Sequence, residues 1–284
     1  MTETKKILDA GSEQSQAATH EIDQAKTAEL FVTLRFYGPL NQCLRPENRQ
    51  KTLQKPLCQG ATVKYAIESA GVPHTEAVIV LVDGLAVSLD HRLQGGERIA
   101  VYPKFVSLDV SELQSVQPEL PKVPRFVLDV HLGKLAGYLR MLGFDTLYSN
   151  NATDEVLAGI AEKEERILLT FDRGLLKRRQ VTIGGLVFSR TAKEQLQEVV
   201  ERFELWDRIR PLTRCIVCNG LLGEVEKVQI LDRLPPRVAE DFEAFSQCRG
   251  CGRVYWEGSH FDRMQDFVQA MLKKHTEYEG VNSP

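Results

Sequence analysis

The chain has 284 residues, 43% of them hydrophobic and 26% charged, and a formal net charge of −3. That is room for two domains of ordinary globular composition, and no apolar run approaches the roughly 20 residues needed to cross a bilayer. The polar start, Met1 to Lys6, has no signal-peptide core, so no membrane partner and a cytoplasmic location are expected.

Residues 1–28 are rich in Glu, Gln, Ser, Thr and Ala without a sustained apolar face, and read as a disordered tail. The pattern then changes. Leu30 to Tyr37 is a strand broken by Gly38-Pro39, and a second strand is expected around Gln50 to Leu53. Thr62 to Gly71 reads as a short helix with a Thr N-cap and a Gly beyond its end. Ala77 to Val82 is a strand turned by Asp83-Gly84, a strong hairpin signal, and Glu97 to Pro103 is the last strand. Strand, strand, helix, strand, strand over 29–105 suggests a β-grasp domain.

This segment resembles the ubiquitin-like β-grasp domain that precedes certain bacterial RNases, which is similar to sulfur-carrier proteins. The carriers end in a free Gly-Gly carboxylate. Here the chain continues through Tyr102-Pro103-Lys104-Phe105, which argues against sulfur transfer and leaves a binding role, with a protein partner for this domain.

Residues 106–124 carry Pro118, Pro121 and Pro124 with little periodicity, and read as a linker. From Arg125 strands alternate with helices. Strands are expected at Arg125–Leu128, Asp145–Tyr148, Ile167–Phe171 and Gly185–Phe188. Helical segments are expected over Leu132–Leu142, Asp154–Glu162, Arg173–Arg178 and Ala192–Phe203. Such alternation predicts a parallel sheet over 125–210.

Three acids stand where apolar runs stop and helical patterns start: Asp129, Asp154 and Asp172. Strand ends on one edge of a parallel sheet converge, so carboxylates distant in sequence can share one metal ion. Each acid also suits a helix N-cap; the three together favour a shared site. Basic residues crowd the same region, including Arg173, Lys177, Arg178, Arg179 and Arg190, although the overall balance is acidic.

Asp129-x-x-Leu132-Gly133-x-Leu135-Ala136-x-x-Leu139-Arg140, then Asp154, then Leu169-Thr170-x-Asp172 resemble the carboxy-terminal RNase family named after the Mut-seven exonuclease, within the PIN-like nuclease fold. The resemblance runs to about Met264 and implies RNA cleavage with Mg²⁺ or Mn²⁺ on Asp129, Asp154 and Asp172. Thr170 would orient a carboxylate or a water. Gly184 to Ser189 lacks the fourth acid many such nucleases carry, leaving one metal, or help from Glu155, as alternatives. That gap also supports a rival reading, an RNA- or protein-binding module that kept the fold and lost the chemistry.

Cys215-x-x-Cys218 and Cys248-x-x-Cys251 have the spacing of a closed tetrahedral zinc site, predicting a structural zinc ribbon over 211–275 before a tail at 276–284. Cys43 and Cys58 lack a pairing pattern and read as packing residues. Arg253 and Trp256 beside the knuckles can hold exposed bases, or Tyr255 and Trp256 can cover the zinc site. Gly258-Ser259-His260 also resembles the family's closing motif, with His260 either touching RNA or packing, so the candidate RNA contacts are Arg140, Arg173, Lys177, Arg178, Arg253, Trp256 and His260.

Overall fold

A computed structural model describes residues 30–104, 115–258, 261–262, 265–271 and 273. The expected tails, and His260 with its neighbour Ser259, lie outside the described residues.

The amino-terminal sheet comprises β1 (Leu30–Phe36), β2 (Thr52–Leu57), β3 (Ile79–Val82), β4 (Leu85–Ala86) and β5 (Arg98–Tyr102), in the order β2-β1-β5-β3-β4. The neighbouring strands β1 and β5 run parallel, and every other pair in this sheet is antiparallel. Helix α1 (Val63–Ala70) buries Val63, Ala66 and Ile67. Thr62 accepts the Tyr65 N–H as its N-cap, and Gly71 leaves the helix at φ 111°. Asp83 and Gly84 both take positive φ, as the β3–β4 turn requires.

The second strand starts later than expected. Gln50 sits in the left-handed region, its N–H held by Asn41 Oδ1 at 2.7 Å, so pairing begins only at Thr52. The strand then runs through Pro56, because β2 is an outer strand where a missing N–H costs no ladder bond.

The second sheet holds β6 (Arg125–Leu128), β7 (Asp145–Tyr148), β8 (Ile167–Thr170) and β9 (Gly184–Leu186), all parallel, in the order β7-β6-β8-β9. Alternation along β6 and β8 divides their side chains between two cores. Phe126, Leu128, Ile167 and Leu169 join α2 (Gly133–Met141) and α5 (Ala192–Arg202) on one face. Val127 and Leu168 join α3 (Asp154–Glu164) and α4 (Arg173–Leu176) on the other.

That second core is continuous with the interior of the β-grasp domain, from Val32, Leu34 and Val80 through Val72 and Ala77 to Leu176, Val181 and Leu186. The two sheets therefore share one apolar interior. Polar bonds cross the same junction. His74 Nε2 lies 3.0 Å from Val181 O, Lys177 Nζ donates to Glu68 O at 2.6 Å, and Arg173 donates to Cys43 O. Where the linker was expected, Val116 N donates to Val78 O at 2.8 Å and Gln117 donates to His74 O at 2.8 Å, so this stretch is pinned to the β-grasp sheet; residues 105–114 lie outside the described residues. Thr75 Oγ1, buried at the junction, has no hydrogen-bond partner. Thr75→Val, which removes that orphan oxygen at nearly constant shape, is expected to stabilise the protein by about 1 kcal/mol, read as a raised denaturant midpoint.

The carboxy-terminal module has β10 (Leu222–Glu224), α6 (Pro236–Asp241), β11 (Phe245–Cys248) and β12 (Val254–Trp256), with the antiparallel order β10-β11-β12. Its small core is Ile230, Leu234 and Phe245. Gly143, at φ 93°, brings this module against α2. A Cβ there would lie 2.1 Å from Arg210 O, and the close approach allows the Arg210 N–H to reach Leu142 O.

Candidate active site and thiolate cluster

Strands β7, β6 and β8 are neighbours, and Asp154, Asp129 and Asp172 follow their carboxyl ends. Asp129 is only 7% exposed. Its Oδ2 accepts the Thr170 hydroxyl at 2.6 Å, and its Oδ1 accepts the His131 N–H at 3.1 Å. Thr170 Oγ1 in turn accepts the Asp172 N–H at 2.9 Å. Asp172 Oδ1 caps α4 through the Gly174 N–H at 2.7 Å. One hydroxyl thus ties two carboxylate-bearing strand ends into a single hydrogen-bonded chain. His131 is exposed; its backbone N–H serves Asp129.

Asp154 shares the edge but not the chain. Its neighbour Thr153 caps α3 by accepting the Val156 N–H at 3.4 Å, which relieves Asp154 of the capping role. The Asp154 side chain, 46% exposed, lies 4.0 Å from Arg178 Nη2. Glu155 takes the closer contact with Arg178, at 2.6 Å. Its own backbone N–H and then Arg178 hold the Glu155 carboxyl below its ordinary range. Among the described residues, the four cysteines form a metal-ligand set with all donor atoms within 4.8 Å of one another, and the three aspartates do not form such a set. Mg²⁺ keeps several waters and takes one or two carboxylates, so the linked pair Asp129 and Asp172, with lone pairs to spare, still fits such an ion.

At the end of β9, where no acid stands in the sequence, Glu198 arrives from α5. It accepts the N–H groups of Phe188 and Ser189 at 3.0 and 2.9 Å. Sequence reasoning missed it, because a glutamate inside an amphipathic helix carries no local mark of its destination. Phe171, between Thr170 and Asp172, is 41% exposed and offers an aromatic ring beside the acids.

The basic residues divide sharply. Arg140, expected to meet RNA, is 6% exposed and donates to Thr146 O (2.9 Å), Ile216 O (3.2 Å) and Val217 O (2.8 Å). It is a strut between α2, β7 and the first cysteine knuckle, and burial lowers its ordinarily high pKa. Arg173 and Lys177 donate to carbonyls of the β-grasp domain, so the helical turn they occupy faces that domain. Arg178 pairs with Glu155. Arg253 and Trp256 line an open cleft together with Arg233, Leu234, Pro235, Val254 and Cys251.

In the thiolate cluster, Cys215 Sγ lies 3.7 Å from Cys251 Sγ, and Cys218 Sγ lies 3.3 Å from Cys248 Sγ. A tetrahedron with zinc–sulfur bonds of about 2.3 Å has edges of about 3.8 Å, so the four sulfurs already have the dimensions of a zinc site. Tyr255 donates its hydroxyl toward Cys215 Sγ at 3.0 Å. Burial pushes the Cys215 thiol up, but Tyr255 and the nearby N–H groups outweigh it and bring the pKa to about 6. Gly220 is required here, since a Cβ would stand 2.8 Å from Cys248 Sγ.

The first knuckle is fixed to β7. Asn219 Oδ1 accepts the Thr146 N–H at 3.0 Å, and Asn219 Nδ2 donates to Asp145 Oδ1 at 2.9 Å. Asp145 also pairs with Arg166 at 2.7 Å and Arg214 at 3.4 Å. Burial pushes its carboxyl up, yet Arg166 and Asn219 carry it below its ordinary value. Of the two other cysteines, Cys43 is buried, its thiol pushed up to about 12 by burial, whereas Cys58 is exposed and is not a packing residue.

No helix among the described residues is long and apolar enough to cross a membrane. No protein of curated function matches the chain. Among solved structures, the small archaeal modifier protein 1 of H. volcanii matches at 16% identity and a TM-score of 0.22, covering 27% of this chain and 99% of that one. The Mut7-C ubiquitin model matches residues 30–109, and the Mut7-C RNAse domain model matches residues 124–268. With an acid-bearing parallel sheet, a four-cysteine module and a preceding ubiquitin-like domain, the chain belongs to the Mut7-C RNAse domain family.

Proposed function

We propose that this protein is a ribonuclease that hydrolyses RNA phosphodiester bonds with Mg²⁺ or Mn²⁺ at Asp129 and Asp172, Asp154 serving as a further carboxylate at the rim. The observation that carries this reading is the chain Asp129–Thr170–Asp172 at the carboxyl edge of a parallel sheet. When bound, such an ion lowers the pKa of water and neutralises charge on phosphate oxygens. The chain's own residues set the geometry. Thr170 holds Asp129 in one rotamer and fixes the Asp172 backbone, so neither carboxylate must be ordered when RNA arrives. Phe171 supplies a face for an unstacked base, while Arg253 and Trp256 contact the strand farther along.

Zn²⁺ on Cys215, Cys218, Cys248 and Cys251 is structural in this reading, because four thiolates leave no open position. The cytoplasm, where thiols stay reduced, suits six unpaired cysteines. A catalytically silent RNA-binding module is the second reading, favoured by Asp154 standing outside the hydrogen-bonded chain and beside Arg178.

A metal-titrated cleavage assay on total cellular RNA separates the two. Degradation that needs Mg²⁺ or Mn²⁺ supports the nuclease; RNA gel shifts without degradation across several RNA classes support the binding module. Thr170→Val should weaken Mn²⁺ binding and lower cleavage by about 10- to 100-fold, with Thr170→Ser largely restoring both, as for groups that orient metal ligands.

A further inference from the structure

The buried carboxylate of Glu76 has no part in the site described above, and it belongs to the other domain. It lies in a short 3-10 turn, His74–Glu76, between α1 and β3. It is 6% exposed. Its Oε1 accepts the Leu186 N–H at 2.8 Å, and its Oε2 pairs with Arg202 Nη1 at 2.8 Å. Arg202 Nη1 also donates to Leu186 O at 3.4 Å.

Leu186 lies on β9, the outermost strand on its side of the parallel sheet. The N–H and C=O of alternate residues face β8: Leu168 N bonds Ile183 O at 3.1 Å, and Val187 N bonds Thr170 O at 2.9 Å. Those of Leu186 face away, and Glu76 with Arg202 takes both. A carboxylate from the β-grasp domain therefore stands where a fifth strand would. The next residue, Val187, holds the backbone of Thr170, whose hydroxyl holds Asp129 and Asp172. The same domain grips the far side of the site, because Cys43 O and Glu68 O accept from Arg173 and Lys177 on the turn that follows Asp172.

We infer that Glu76 is a positioning residue for the acid site, setting the Thr170 strand end through β9, so that the ubiquitin-like domain is a working part of the nuclease rather than an appended recruitment module. The catalytic half of this inference rests on the ribonuclease reading; the structural half does not.

The test uses the full chain. Mn²⁺ affinity is titrated calorimetrically, kcat and KM are measured on a short single-stranded RNA, and the backbone amide resonances of Asp129 and Asp172 are followed by NMR. Glu76→Ala should remain folded, bind Mn²⁺ about tenfold more weakly, lose about tenfold in kcat with KM unchanged, and shift both amide resonances. Glu76→Gln keeps an acceptor for Leu186 and should recover most of each change. Wild-type Mn²⁺ affinity together with unmoved resonances in folded Glu76→Ala would overturn the inference. Should Glu76→Ala not fold, Glu76→Gln and Arg202→Gln are read instead: smaller shifts in the same direction sustain it, and wild-type values in both overturn it. If the wild-type protein neither binds Mn²⁺ nor cleaves RNA, the ribonuclease reading fails, and the resonances still decide the coupling.

Discussion

Asp129→Asn is expected to lower metal-dependent RNA cleavage by about 10³-fold or more, the scale seen when one member of a catalytic set is removed. The substitution keeps the volume of the side chain. It also keeps an oxygen able to accept the Thr170 hydroxyl or the His131 N–H, the two bonds that fix Asp129 in place. What it removes is the negative charge, and with it the attraction for a divalent ion. Circular dichroism and thermal unfolding should therefore match the wild type while activity disappears. Asp172→Asn should behave similarly, with some added loss of stability because Asp172 Oδ1 also caps a helical turn. Asp154→Asn should cost less than either, since Asp154 stands outside the hydrogen-bonded chain and beside Arg178. Full activity in both the Asp129 and Asp172 variants would leave the fold without this chemistry.

Removal of zinc has the second large expected effect. Among the described residues, the core beside the cysteines is Ile230, Leu234 and Phe245 with six half-buried neighbours. That is too little apolar burial to order the module alone, whereas structural zinc contributes on the order of 10 kcal/mol in small fingers. Cys215→Ser, or a strong chelator, should take bound zinc from one equivalent to none and melt the module. The damage should spread, because Arg140 loses the carbonyls of Ile216 and Val217, and Asp145 loses Asn219. A lowered thermal midpoint for the whole chain and cleavage reduced at least about tenfold should accompany it. Wild-type unfolding in a zinc-free preparation would contradict the assignment.

Much of the fold was legible because it is written locally. The apolar run Ile167–Thr170 and the stripe of α2 are periodic patterns, and Thr62, Gly71 and Asp83-Gly84 mark element ends by their own backbone preferences. Asp129 and Asp172 could be named for the same reason, since strand ends in a parallel sheet are local features; Thr170 was implied by the family resemblance. The partnerships could not. Glu76 meets Leu186 across 110 residues, and Arg140 meets Val217 across 77; neither leaves a trace in the flanking sequence. Arg173 and Lys177 look like a solvent-facing basic turn until the β-grasp domain is placed against them. The shared interior likewise joins residues far apart in the chain. Val72 and Ala77 belong to the β-grasp stretch of the chain, and only the packing places them in one interior with Leu176 and Leu186 of the other domain.

The bonds made by Asn219 carry a further consequence when set beside those made by Glu76. On β7 the outward N–H of Thr146 goes to Asn219 and its carbonyl to Arg140. On β9 the outward N–H of Leu186 goes to Glu76 and its carbonyl to Arg202. Both margins of the four-stranded sheet thus end in the same kind of stopper, a side-chain oxygen on the N–H and a guanidinium on the carbonyl. A foreign segment seeking to lengthen the sheet finds these hydrogen-bonding sites already taken, which guards an apolar parallel sheet against the intermolecular pairing that leads to aggregates.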